Sequence, residues 1–398
     1  MKKLKRMYER LVEGALFLCG NVTGIVILLI VLFLFKEGVG FFGRTSVEEG
    51  YTLALSKKNP VEKLSSREIK DIFDATITNW KEVGGFDREI VLFRFNDITD
   101  YVAEEELGAD FEHIPECIEK IISEYPDMIA FFPKAYLKEN FRGKILQVGR
   151  VGLLEFFGGK EWMPTAAPSA QFGILSLILG TLWVSFGAIL IALPLGLGVA
   201  IYLAEVADKR FRNFLKPVIE LLAGIPSVVY GFFGLVVLAP FIQKTFNLPI
   251  GETGLSGAII LAIMALPTII TIAEDAMRTT PLAMKEASLA LGATRWQTVY
   301  RVVIPYSSSG ITAAAILGIG RAIGETMAVL MVTGNAAIIP HSFLEPLRTI
   351  PATIAAELGE APKSSAHYQA LFLLGVILFI ITLIVNISVE FIKRKKYE

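Results

Sequence analysis

Apolar residues in this chain gather into long unbroken runs rather than the mixed spacing of a soluble core. Six runs, roughly 15–35, 172–203, 218–242, 254–274, 307–333 and 368–391, each supply about 20 residues or more, the length a helix needs to cross a bilayer core. The second is longer still and is expected to tilt or to extend beyond the bilayer. Between the first two runs the rhythm changes, and residues 36–170 mix polar and apolar positions. Tyr51–Leu55 and Glu89–Phe95 read there as strands, with Met128–Phe132 and Lys144–Val148 as further candidates. Ser65 with Glu68 three residues on is a capping box opening the helix Arg67–Phe73, and Ile114–Glu124 is a second amphipathic helix. The stretch 158–171, with Gly158-Gly159-Lys160, Pro164 and Pro168, reads as a linker back into the membrane. The expected fold is an all-α polytopic membrane protein with six transmembrane helices, carrying an α/β extracytoplasmic insert. Its parts are 1–35, the insert 36–170, and a helical core 171–398 with a loop at 279–305.

Charge orients these spans. Lys2, Lys3, Lys5, Arg6 and Arg10 precede the first span, and Lys393, Arg394, Lys395 and Lys396 follow the last. The 207–217 connector carries Lys209, Arg210, Arg212 and Lys216, and the 275–305 connector Arg278, Lys285, Arg295 and Arg301. The two short connectors on the other side hold Lys244 and then Arg348 and Lys363. By the positive-inside rule both termini and the 275–305 connector face the cytoplasm, and the insert lies outside. Long domains translocate regardless of charge, so the insert's acidic balance, concentrated at Asp97–Glu119, does not disturb this topology.

Composition narrows the chemistry. Hydrophobic residues make up 53% and charged residues 19%; the net charge of −1 says nothing about nucleic acid, but no Lys/Arg run is interleaved with aromatics as a nucleic-acid surface would have it. Mean hydropathy is +0.56. Cys19 and Cys117 lie far apart, and His113, His341 and His367 are scattered without an i,i+4 pair, so neither a disulfide framework nor a metal site is readable. The apolar run after the basic start has span length rather than that of a cleavable signal core. No nucleophile–base constellation and no cofactor motif appears, and Gly143-Lys144 and Gly159-Lys160 lack the context of a nucleotide loop.

The polar residues inside apolar runs carry the remaining signal. Arg321 and Glu325 stand four apart in the fifth span, so on one continuous helix they share a face and can pair. Intramembrane charge is expensive and normally faces a bundle interior, which marks a substrate path, with an intrahelical salt bridge as the structural alternative. An arginine offers bidentate donors suited to an oxyanion. Gly318, Gly320 and Gly324 permit close helix approach or mark backbone lining a cavity. Glu220 precedes Gly224-Ile225-Pro226, where helix geometry must break, as a bend at a translocation path or as a tolerated kink.

Residues 286–305 are too polar for lipid and too patterned for a random connector. Met284–Leu291 favours helix and Gly292 suits its carboxyl-side cap. Thr294 then opens a second short helix with Trp296, Val299 and Val303 as apolar anchors, stopped by Pro305. Two short helices at an angle make a knob with Glu286 and Arg295 exposed and Ala287 beside them in the loop, fit for a groove in a soluble partner or for an interfacial hairpin.

These residues resemble a known family. The 286–305 block is similar to the coupling loop of ABC importer permeases. Glu220 through Gly231, Pro194-Leu195-Gly196-Leu197-Gly198, and Gly320 through Met331 leading to Gly334-Asn335 narrow the resemblance to PstC-like phosphate ABC importer permeases, over roughly 172–392. The resemblance implies a type I permease core in a prokaryotic cytoplasmic membrane, forming half of a translocation path. It implies a second permease subunit, two cytoplasmic ATPase subunits and an extracytoplasmic phosphate-binding protein as partners, beside membrane lipid. It also implies that Arg321 and Glu325 act in phosphate passage and that ATP hydrolysis belongs to a partner, so the chain is not itself an enzyme. Ser288 stands where the loop motif has alanine, a small-for-small change.

The insert departs from that family and resembles part of a phosphate-binding protein instead. Leu64–Phe73, Ile77–Gly85 and Met128–Leu137 carry this likeness, which covers about 55–150, one lobe of a two-lobed binder. After Ile90–Arg94 the binder would carry a Ser-Gly-Thr phosphate-holding turn, where this chain reads Phe95-Asn96-Asp97-Ile98-Thr99-Asp100. A docking or gating domain without phosphate binding of its own is therefore expected. Alternative functions are a membrane sensory component reporting phosphate supply, or a permease for sulfate, molybdate or tungstate.

Overall fold

A computed structural model describes residues 2–108 and 111–394; Asp110 of the acidic run and Lys395 and Lys396 of the basic tail lie outside them, as do the side chains of the amino-terminal basic residues. The chain divides into two compact units, one holding residues to Phe35, Ser176–Glu360 and from Leu371, the other Lys36–Leu175 with Ala361–Ala370.

In chain order, helix α1 runs Lys2–Val39, and the second unit follows with strands β1 (Tyr51–Leu55) and β2 (Lys63–Leu64) and helix α2 (Ser66–Phe73). Strand β3 is Val91–Arg94, α3 Ile114–Glu124, β4 Met128–Pro133, β5 Lys144–Ile145, β6 Gln147–Val148, α4 Leu153–Gly158, β7 Trp162–Met163 and β8 Gln171–Phe172. The main sheet has the order β3-β4-β1-β5, with β4 antiparallel to β1 and parallel to β3. Alternation along its strands feeds two cores. Ala54, Phe93, Met128, Ala130 and Phe132 meet α3 through Ile114, Ile118 and Ile121, whereas Leu53, Leu55, Ile129 and Phe131 meet Ile69 and Ile72 of α2 and Trp80. Burial on both faces makes this unit a three-layer α/β/α sandwich.

Two expectations need correction here. The strand expected over Lys144–Val148 splits, because β5 pairs with β1 while β6 pairs in parallel with β2. The expected linker 158–171 is packed structure: β7 pairs with β8, Ser169 bridges to Val47, and Ser169 and Gln171 are buried among hydroxyls of Ser46 and Ser66. The turn after β3 is a 3₁₀ stretch over Phe95–Asp100.

In the helical unit, α5 (Leu175–Ile201) continues through a π turn at Tyr202–Val206 and is followed by α6 (Lys209–Ala223), α7 (Ser227–Phe233) and α8 (Ala239–Phe246). Helix α9 is Gly254–Arg278, α10 Leu282–Ala290, α11 Arg295–Thr298, α12 Ile304–Tyr306, α13 Ser308–Gly324, α14 Met327–Val332, α15 Ile350–Glu357 and α16 Ala366–Arg394. Among the described residues, five helical segments are long and apolar enough to cross a membrane alone. Six are reached if the pair Arg295–Tyr306 and Ser308–Gly324, bent by 71° at a short break, counts as one span.

Helix α9 is the buried hub. Glycines let α13 press onto it: a Cβ on Gly310 would lie 2.2 Å from Ala276 Cβ, and one on Gly318 2.8 Å from Ile269. Helices α7 and α14 clasp in the same way, since a Cβ on Gly231 would meet Met331 Sδ at 2.8 Å and one on Gly234 would meet Val332 at 2.6 Å. Gly318 is thus a close-approach glycine, whereas Gly320 and Gly324 face open space.

Candidate functional site

Two helix breaks lie at one level of α9. Chain 209–246 runs antiparallel to α9, with Lys216 against Glu274 and Asp275, and Ile219 in one cluster with Ile270. It breaks at Gly224–Pro226, where Ile225 and Tyr230 join Ile260 and Met264. Pro226 has no amide to continue the ladder, and the Tyr230 hydroxyl donates to the freed Leu222 carbonyl at 2.7 Å. The predicted fifth span 307–333 is likewise not one helix. It stops at Gly324, Glu325 is extended (φ −71, ψ 132), and α14 restarts with Ala328 in the same cluster as Tyr230 and Met264. Irregular backbone at membrane depth is tolerated where protein or a water-filled cavity satisfies it.

This break separates the two predicted partners. Arg321 and Glu325 do not pair, because the extended Glu325 leaves the face that a continuing turn would share. Arg321, half-buried, donates from Nη1 to Thr268 Oγ1 of α9 at 3.2 Å and makes no ion pair among the described residues. Glu325 instead turns to α14, where its Oε1 accepts from the Ala328 amide at 3.4 Å, as a capping carboxylate does. Glu220 stands exposed on α6, ahead of the break and outside the apolar segment Ser227–Phe246. A cavity of about 490 Å³ opens beside the second break, lined by Gly324, Thr326, Pro351, Ile354 and Leu378.

The 286–305 block folds as two short limbs. Helix α10 ends in a Schellman motif: the Ala293 amide donates to the Ser288 carbonyl at 3.3 Å and the Gly292 amide to the Leu289 carbonyl at 2.9 Å. Gly292 has φ +88, a left-handed backbone free of penalty only for glycine. Thr294 caps α11 through a reciprocal box with Gln297. Ser288 and Thr298 hydroxyls brace the limbs at 3.0 Å. Glu286, Ala287 and Arg295 are exposed.

Two details differ from expectation. Val299 and Val303 are buried, but Trp296 is 64% exposed rather than an inward-facing anchor. Pro305 does not stop the helix; it sits in the first positions of α12 after a π turn at Val299–Val303, where a missing amide is tolerated, and the chain turns at Ser307.

One ion pair holds the base of this block, and others tie α6 to α9. Lys285 Nζ meets Glu205 Oε1 at 2.6 Å, joining α10 to the end of α5, with both side chains mostly buried. Lys216 Nζ meets Glu274 Oε2 and Asp275 Oδ1 at 2.6 Å each, and Arg278 stands 3.6 Å from Glu274. Burial draws the Lys216 pKa down, but hydrogen bonds to Asp275 and Glu274 more than offset it, so the net shift is upward from 10.5. Sequence reasoning missed Thr268, Glu205, Lys285 and Glu274 as partners. Only Glu274 left a trace, standing four residues before Arg278 at the end of an apolar run.

Comparison with known proteins adds the following. Residues 192–396 match the family described as "Binding-protein-dependent transport system inner membrane component". A probable ABC transporter permease protein, YqgH, of Bacillus subtilis is 38% identical over 249 residues, covering 63% of this chain and 80% of that protein. The phosphate transport system permease protein PstC of Mesorhizobium japonicum is 43% identical over 249 residues, covering 58% and 75%. Among solved structures, an inward facing MetNI methionine ABC transporter aligns over 56% of this chain and 95% of its own at 20% identity and a TM-score of 0.45.

Proposed function

The chain belongs to the binding-protein-dependent transport system inner membrane components, and from that premise we propose that it is the permease subunit of an ATP-driven phosphate importer. It contributes half of the translocation path and takes its drive from a cytoplasmic ATPase seated on the 286–305 block. A second permease subunit and an extracytoplasmic phosphate-binding protein complete the assembly. Both termini face the cytoplasm and the insert 36–170 faces outward, in keeping with the lysine and arginine bias of the connectors.

The observation that carries this reading is Arg321. It is a cation in a membrane-spanning segment, bonded to a neutral hydroxyl rather than to a carboxylate, beside two helix breaks. An uncompensated charge there is costly unless an anion visits it. A guanidinium supplies paired donors that match a tetrahedral oxyanion. Glu325 is assigned a supporting role: it caps α14 and so fixes the break beside Arg321.

The test is ATPase activity of the reconstituted complex with and without phosphate, for the parent chain and Arg321→Gln. Loss of stimulation and of uptake in an assembled complex is expected; retention of both overturns the assignment. For the insert, the 3₁₀ stretch Phe95–Asp100 in place of a glycine turn supports docking or gating. Calorimetric titration of 45–165 with phosphate is expected to show no heat of binding, and micromolar binding would sink that view.

A further inference from the structure

We propose that α4, at the base of the insert, is a membrane foot whose exposed apolar side chains sit in the headgroup and upper acyl region of the bilayer leaflet on the insert's side. Apart from Val39, which lies in the crossing segment Val12–Gly43, large apolar side chains exposed elsewhere in the described insert, at Phe111, Tyr125 and Ile145, are scattered singly, which is ordinary for a wetted surface. At α4 they gather: Leu153, Leu154 and Phe157 are exposed on one short helix, with Leu154 at 91%, and exposed Met163 follows in β7. Facing inward, Phe156 is buried, so the helix is not loose.

The position of α4 identifies what covers it. Its carbonyl ends are bonded by the start of the next span: the Ile174 amide donates to the Phe156 carbonyl at 3.0 Å and the Leu175 amide to the Gly159 carbonyl at 3.1 Å. Leu175 is the first residue of the membrane-crossing segment Leu175–Val206. The backbones touch there, for a Cβ on Gly173 would lie 2.3 Å from the Gly159 carbonyl carbon. On its other side Phe156 packs on Phe41 with ring centroids 5.2 Å apart, and Phe41 belongs to the crossing segment Val12–Gly43. The apolar patch is therefore continuous with the points where the chain leaves and re-enters lipid.

Charge agrees with lipid as the occupant. Arg150 and Lys160 bracket α4, both are exposed, and neither forms an ion pair among the described residues. Cations flanking an apolar helix match lipid phosphates above an acyl layer. Behind the patch, Phe41, Phe156, Trp162 and Phe172 form a buried aromatic cluster that holds α4 in place.

The complete transporter would be made with photoreactive benzoylphenylalanine at Leu154 and, in a second variant, at Phe157. Each is placed in vesicles of phosphatidylethanolamine and phosphatidylglycerol and irradiated. Both side chains are exposed, so substitution leaves the packing of Phe156 intact. A mass increase of one phospholipid on the chain at both positions is expected, with none for the same probe at exposed Glu104. An adduct to another protein subunit, or no lipid adduct at either position, overturns the proposal.

Discussion

Lys285→Ala is the perturbation that bears most directly on coupling. Lys285 and Glu205 meet at 2.6 Å with side chains 18% and 12% exposed, so the pair lies between two measured regimes. Exposed pairs contribute at most about 1 kcal/mol, whereas removing one partner of a buried pair costs about 3–5 kcal/mol. For this mostly buried pair about 2 kcal/mol follows, a factor of about 30 between the seated and released block. Hydrogen exchange of the 282–306 amides reads that factor directly, with protection falling about 30-fold in Lys285→Ala. The charge-reversed pair Lys285→Glu/Glu205→Lys is expected to restore most protection and, in the reconstituted complex, phosphate-stimulated ATPase activity. Unchanged protection in Lys285→Ala would refute the argument. So would an equal fall in the reversed pair, because a tether made of charge does not depend on which end carries which sign.

Three other outcomes follow, two from ion-pair physics and one from backbone strain. Lys216→Met strands Glu274, 1% exposed, with only Arg278 at 3.6 Å, so thermal unfolding should show a loss of about 2–4 kcal/mol that Lys216→Met/Glu274→Leu largely recovers. Because the folded Lys216 pKa lies above 10.5, this stabilisation is complete at lower pH and is lost only as pH climbs from 10.5 through the raised value, so the effect of Lys216→Met is expected to be flat between about pH 6 and pH 9. In the insert, Ala75 closes α2 with φ +57, a left-handed backbone that costs an L-residue about 1–2 kcal/mol; Ala75→Gly should raise stability by about 0.5–1 kcal/mol in denaturant titration.

Local signals were legible in the sequence. The capping box at Ser65, the strand pattern of β1, the amphipathic spacing of α3 and the apolar run of β4 depend on neighbours within a turn or a strand, and these elements stand where the pattern put them. What escaped was long-range. Glu205 and Lys285 are 80 residues apart, and nothing near either marks the other. The short strands β7 and β8 exist only through pairing across a turn, in a stretch whose glycines and prolines read as a linker. The break at Glu325 is hidden because no proline makes it. An apolar run continues on both sides, and a carboxylate stands in for the lost helical bond. That one missing mark turned a capping residue into an expected salt-bridge partner.

The shared depth of the two breaks has a mechanical consequence. At a break the ladder of backbone bonds is already interrupted, so rotation there sacrifices no further helix hydrogen bonds. Below the joint, α6 and α13 are fastened to α9 by Lys216 and by Gly310 and Gly318; above it, α7 and α14 grip each other through Gly231 and Gly234. Each of these two chain segments is thus jointed at this level, beside an α9 that runs past it unbroken. Helix α13, 17 residues long, is a lever of about 25 Å, and a tilt of about 10° at the joint corresponds to about 4 Å at its far end. If a motor is seated there, as proposed above, it would gain leverage, since a stroke of several ångströms would become a small, forceful rotation beside Arg321.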